Sequence, residues 1–168
     1  MVTEVLISAK EIVKIFANAT LNNDIETIAD LLSNNGEFQT QDIALDDVAS
    51  KKEDFLKWYK VKLQANKVES ISYDNCLHCS LGNPVVLFNN GLFPRSIKDS
   101  SERSKAGLML KVENGLVAEI KFCHVFAVTD NDYVYECHLK KAKEFMAQGF
   151  THVQAIEKAI KIDLKDLI

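Results

Sequence analysis

Lys105-Ala106-Gly107-Leu108-Met109-Leu110-Lys111-Val112-Glu113-Asn114-Gly115-Leu116-Val117-Ala118-Glu119-Ile120-Lys121-Phe122-Cys123-His124-Val125-Phe126 is the stretch that decides the fold. On the first arm Ala106, Leu108, Leu110 and Val112 alternate with Lys105, Lys111 and Glu113. Side chains of a strand point alternately to its two faces, so this pattern predicts a strand with one buried face. Asn114-Gly115 is the strongest short hairpin signal, because both residues accept the positive φ of a type I′ turn. On the return arm Leu116, Ala118, Ile120, Phe122, His124 and Phe126 share one face, and Val117, Glu119, Lys121, Cys123 and Val125 the other. The expectation is an antiparallel hairpin whose apolar face carries one histidine.

Upstream of the hairpin the same alternation runs through residues 69–81, with Ile71, Tyr73, Leu77, Cys79 and Leu81 on one face. Gly82-Asn83 turns the chain, Pro84 to Phe93 reads as a further strand, and residues 94–103 form a polar loop. Nearer the N-terminus the period is helical. Val5, Ala9, Ile12 and Phe16 predict a helix over residues 4–19. A second helix opens at Asn23, with Glu26 completing a capping-box-like pair, and Ser33-Asn34-Asn35-Gly36 stops it. Glu37 to Thr40 suits a short strand. Ser50 and Glu53 open a third helix, which carries Phe55, Leu56, Trp58, Tyr59 and Leu63. Beyond Thr129-Asp130-Asn131-Asp132 a helix runs to about Gln148 and ends at Gly149. Another follows, capped by Thr151 and Gln154, with Val153, Ile156, Ala159 and Ile160 as its stripe.

Composition supports an ordered chain. Apolar residues make up 47% of the 168, enough to offset the conformational entropy of folding. Twenty basic against twenty-four acidic side chains give a net charge of −4 without a clustered basic face, which argues against a nucleic-acid partner. No apolar run approaches the ~18–20 residues a bilayer requires, so no membrane partner is expected. Met1-Val2-Thr3-Glu4 lacks the order of a secretory signal. The expected location is cytoplasmic, with the four cysteines as reduced thiols.

The order of two helices, a short strand, an aromatic-bearing helix and an antiparallel meander resembles the nuclear-transport-factor-two-like, or SnoaL-like, superfamily with its cystatin-like cone. The likeness rests on Asn23-Asp24-Ile25-Glu26-Thr27-Ile28 ahead of Leu31-Leu32, on Asp54-Phe55-Leu56-Lys57-Trp58-Tyr59, and on Val112 to Ile120. The resemblance implies an α+β domain over residues 1–130. Three helices would pack in a strongly curved antiparallel sheet around a pocket, followed by a helical extension over residues 131–168. It also implies a homodimer paired through the sheet.

Within that frame His124, between Phe122 and Phe126 on the apolar face, is a candidate acid or base near neutral pH; its bland alternative is a core histidine bonded to a backbone carbonyl. Asp42 is the second catalytic candidate, because related isomerases carry a carboxylate just after the first short strand. Asp46 and Asp47 compete with it, and a solvated loop acid is the plain alternative. Those isomerases also need a first-helix tyrosine and a protonated strand aspartate. Phe16 and the Gly107-Leu108 region stand there instead, which counts against a steroid-isomerase mechanism.

Phe16, Trp58, Tyr59, Tyr73 and Phe122 would shape a cavity for a small apolar or aromatic ligand, or else only fill the core. Cys76-Leu77-His78-Cys79, Cys123-His124 and Cys137-His138 invite a zinc reading, but Cys76 and Cys79 fall on opposite faces of a strand, so no metal is expected. No Gly-rich phosphate loop, nucleophile elbow or Walker-type lysine motif is present, and no cofactor is expected. Two functions compete. One is a small-molecule pocket protein of isomerase, lyase or cyclase type using His124. The other is a non-enzymatic homodimeric interaction module docking through Val153, Ile156 and Ile160.

Overall fold

The computed structural model describes residues 8–41, 47–65, 68, 71–72, 76–78, 83–88, 105–128 and 132–167; at 71–72, 76–78, 87–88, 105–106, 123–128, 132, 164 and 167 it describes the backbone alone. The chain is α+β.

Helix α1 spans Ala9–Leu21, and Ser8 caps it by accepting the Glu11 N–H at 3.2 Å. Ile12, Val13, Phe16, Ala17 and Thr20 recur at three- and four-residue spacing and are buried. Ala9, expected on this stripe, is exposed, and Val5 lies outside the described residues.

Helix α2 spans Ile25–Leu31, and its cap is Asp24 rather than Asn23, which turns the chain with φ 53°. Asp24 Oδ1 accepts the Thr27 N–H at 3.1 Å, and Oδ2 accepts the Thr27 hydroxyl at 2.6 Å. These bonds, hydroxyl first, hold the Asp24 carboxyl below its usual range. A carboxyl depressed on folding contributes stability above its unfolded pKa and loses it as the pH falls through the lower folded value. Wild type is therefore expected to lose more stability between neutral pH and about pH 2.5 than Asp24→Asn, which keeps a cap but not the charge. Urea midpoints at the two pH values check this, and equal losses would contradict it.

Strand β1, Leu32–Gln41, follows α2 directly. Ser33-Asn34-Asn35-Gly36, expected to be a stop, is its first half. Tertiary contacts override the local turn preference: Leu32 pairs with Val117, while the Lys52 ammonium donates to the Leu32 carbonyl at 3.1 Å and to Asn34 Oδ1 at 3.2 Å. Strand β2, Asp47–Ser50, lies antiparallel to β1 from Phe38↔Ser50 to Gln41↔Asp47. Ser50 accordingly does not open α3. Its hydroxyl bonds that of Thr40 at 2.9 Å, and α3 spans Lys52–Ala65, burying Phe55, Tyr59 and Leu63 at four-residue spacing.

The remaining strands are β3 (Ile71–Ser72), β4 (Cys76–His78), β5 (Val85–Phe88), β6 (Lys105–Glu113) and β7 (Leu116–Val128). The sheet order is β2-β1-β7-β6-β5-β3, with β4 also on β7. It is open and mixed rather than wholly antiparallel, because β1 runs parallel to β7. Within residues 69–81, expected to form a single strand, the described residues have different partners: β3 pairs with β5 and β4 with β7. Alternation reports faces; it does not choose partners.

The β6–β7 hairpin forms as expected, with Asn114 and Gly115 at φ 53° and 78°. Near the turn its faces differ from a strict alternation. Lys111 pairs with Glu119 but Val112 with Val117, so β7 carries one extra residue there. That bulge reverses the phase of the first residues of β7: Val117 is buried and Leu116 is exposed, while Ile120 and Phe122 remain buried.

The C-terminal helices are α4 (Asp132–Ala147), α5 (His152–Ile160) and α6 (Leu164–Leu167). Gly149, at φ 100°, ends α4, and Thr151 with Gln154 makes the expected capping box on α5. Leu139, Ala142, Ala155, Ile156 and Ala159 form a second core between α4 and α5. Val153, Ile156 and Ile160 therefore do not present one free docking face: Ile156 is fully buried inside the hairpin, and Val153 is exposed. Among the described residues no helix is long and apolar enough to cross a membrane.

Candidate functional site

The site is built on α3 and β7, where helix and sheet meet. At four-residue spacing α3 sends Phe55 and Tyr59 into the core, while Trp58, one position earlier than Tyr59, stands at the margin and is half-buried. Phe55 touches Phe38 (5.4 Å between ring centroids), Tyr59 (5.2 Å) and Trp58 (6.0 Å). Phe16 meets Tyr59 at 5.8 Å. Phe16, Phe38, Phe55 and Tyr59 are all 0% exposed, so these four rings belong wholly to the core. Trp58 continues the cluster outward to Phe122 of β7, at 5.9 Å. Lys62 Nζ lies 5.9 Å from the Trp58 ring centroid, a cation–π arrangement on its outer side.

Tyr59 bonds Thr20 through their hydroxyls at 2.8 Å in full burial. Burial pushes the phenol far above its usual range, and the Thr20 bond opposes this only in part. Tyr59 is thus a neutral hydroxyl over the whole physiological range, placed as part of the core.

Beside Phe122 the sheet changes character. The last partners in the β1–β7 ladder are Phe38 and Ile120. Two residues on, the Phe122 N–H donates not to a strand carbonyl but to Gln39 Oε1, at 2.7 Å. Thr40 and Gln41 at the end of β1 are buried. The bond to Phe122 sets the Gln39 side-chain amide beside that residue.

Of the candidates named from sequence, the structure brings together Phe16, Trp58, Tyr59 and Phe122 as one aromatic chain. His124 is located through its backbone, paired with Ala106 two residues beyond Phe122. Asp42 and Tyr73 lie outside the described residues, as does Asp46. Asp47 lies in β2 and is exposed. Among the described residues no group of three His, Cys, Asp or Glu is placed to hold a metal. Sequence reading missed Thr20, Gln39 and Gln41. The available signal was Phe38-Gln39-Thr40-Gln41, an alternation at the end of a strand, which reads ordinarily as a solvated face.

No family model and no curated protein matches the chain. Among solved structures, it is similar to an NTF2-like protein of unknown function from Cytophaga hutchinsonii, at 12% identity and a TM-score of 0.46, covering 71% of this chain and 92% of that one. A protein of unknown function with a cystatin-like fold from Methylobium petroleophilum aligns at 8% identity and a TM-score of 0.44, over 76% and 88% of the two chains. An LEH-like epoxide hydrolase from M. tuberculosis aligns at 13% identity and a TM-score of 0.38, over 68% and 76%. The solved structures similar to this chain thus include an NTF2-like protein and a protein with a cystatin-like fold.

Proposed function

We propose that this chain binds a small, largely apolar or aromatic molecule where Trp58 and Phe122 meet, and that His124 acts on it as acid or base. The observation that carries the reading is the half-buried state of Trp58. Phe16, Phe55 and Tyr59 are wholly committed to the core, whereas Trp58 touches Phe122 and keeps accessible surface. The accessible part of an aromatic ring already ordered by its neighbours offers a ligand contact area at little entropic cost. His124 follows Phe122 by two residues on the same strand. Asp42, next to Gln41, assists on this reading, and the chemistry such a pair suits is a proton shift of isomerase or lyase type.

Trp58 is the single tryptophan of the chain, so one indole N–H resonance reports the site. Titration with 2-naphthol is expected to shift that resonance saturably, and Phe122→Ala to weaken binding about tenfold. A shift that never saturates, or one indifferent to Phe122→Ala, would count against the site.

A further inference from the structure

Helix α3 sets a cation at the Trp58 ring. Lys62 follows Trp58 by four residues, one turn along the same face of the helix. A helical side chain leans back over the turn before it, and the Lys62 ammonium stands 5.9 Å from the Trp58 ring centroid. Lys62 is half-buried, as Trp58 is. A charge held at such a margin is screened less than one in open solvent, so it attracts an opposite charge more strongly.

The charge around it is one-sided. From Lys57 to Ala65 the helix carries Lys57, Lys60 and Lys62 and no acid, in a chain whose net charge is −4. The nearest acid on the same helix is Asp54, which is exposed and eight residues before Lys62. That spacing is about 12 Å along the axis, beyond the screening length of about 8 Å at physiological ionic strength. An anion that reaches Trp58 therefore meets the Lys62 ammonium with little opposition from α3. The ammonium brings N–H donors as well as charge, and a charge-assisted hydrogen bond is roughly twice as strong as a neutral one.

We propose that the molecule bound at Trp58 and Phe122 is an organic acid, its aromatic or apolar body against the two rings and its carboxylate at the Lys62 ammonium. The inference rests on the Trp58–Phe122 reading, and it narrows the ligand from any small apolar or aromatic body to one that carries a negative charge.

The test compares 2-naphthoate with 2-naphthamide, a neutral probe of nearly the same size and shape. Both are titrated at neutral pH and followed at the Trp58 indole N–H. Wild type is expected to bind the naphthoate at least about tenfold more tightly, and the naphthoate to shift the Lys62 Cε resonance saturably. Lys62→Met keeps most of the stem and loses the charge. It is expected to bring the naphthoate down to the affinity of the naphthamide and to leave the naphthamide unchanged. Equal affinities in wild type, with saturable shifts at Trp58, would overturn the organic acid and leave the Trp58 site standing. A preference for naphthoate that survives Lys62→Met would overturn the assignment to Lys62. No saturable shift at Trp58 with either probe would overturn the site and the inference with it. If Lys62→Met does not fold, the wild-type Lys62 resonance decides: a naphthoate preference that leaves it unmoved contradicts the assignment.

Discussion

Replacing Phe55 with alanine is expected to cost the domain about 3–5 kcal/mol, the largest effect of any single truncation in its interior. Phe55 is 0% exposed and lies at the centre of the aromatic cluster, with Phe38, Tyr59 and Trp58 all within 6.0 Å between centroids. Removing it loses the transfer free energy of the ring, leaves a cavity that rigid neighbours close poorly, and forfeits three ring–ring contacts. Against a total stability of about 5–15 kcal/mol, that loss approaches the limit of a folded chain. Chemical denaturation followed by far-ultraviolet circular dichroism measures it. A loss below about 1 kcal/mol would mean that the cluster collapses freely around the gap.

Gly36→Ala is the second large effect, and here the sign is informative. In an ordinary strand, alanine is better than glycine by about 0.5–1 kcal/mol, because glycine loses more backbone entropy on folding. At Gly36 an added Cβ would lie 2.8 Å from the Ala118 carbonyl oxygen and against the ring of Phe38. The oxygen is backbone of β7, and Phe38 is locked against Phe55, so neither can yield cheaply. Steric cost wins, with a net destabilisation of about 1–3 kcal/mol expected from the same denaturation measurement. A neutral or stabilised variant would show that β1 can move away from β7 at this point.

The two variants bracket what was legible in the sequence. The Asn114-Gly115 hairpin and the Thr151–Gln154 capping box are local devices, set by residues a few positions apart, and both form as read. Partner choice is not local. Nothing in Ser33-Asn34-Asn35-Gly36 announces a strand, because its strand state depends on Val117 across the sheet and on Lys52 in α3. The parallel β1–β7 pairing and the bulge near Val117 are long-range in the same sense, and the bulge alone moves Leu116 outward and Val117 inward.

The candidate site shows a similar division. Phe16, Trp58, Tyr59 and Phe122 were legible as one aromatic set, since each sits on an apolar stripe of its own element. Which ring keeps surface was not. Trp58 and Tyr59 are adjacent, and a rotation of about 100° per residue around α3 separates a core ring from a marginal one. Gln39 and Gln41 were passed over because strand glutamines ordinarily face water. Gln41 is nonetheless buried, and Gln39 is half-buried with its amide oxygen taking the Phe122 N–H.

The most direct measurement is the position of 2-naphthol bound to the wild-type chain, from intermolecular nuclear Overhauser effects in isotope-labelled protein. The account predicts contacts from the naphthol ring to the Trp58 indole and the Phe122 ring, together with the His124 imidazole. Contacts confined to the helical extension, at Tyr133 or Val153, would contradict it. So would contacts to Trp58 with none to His124.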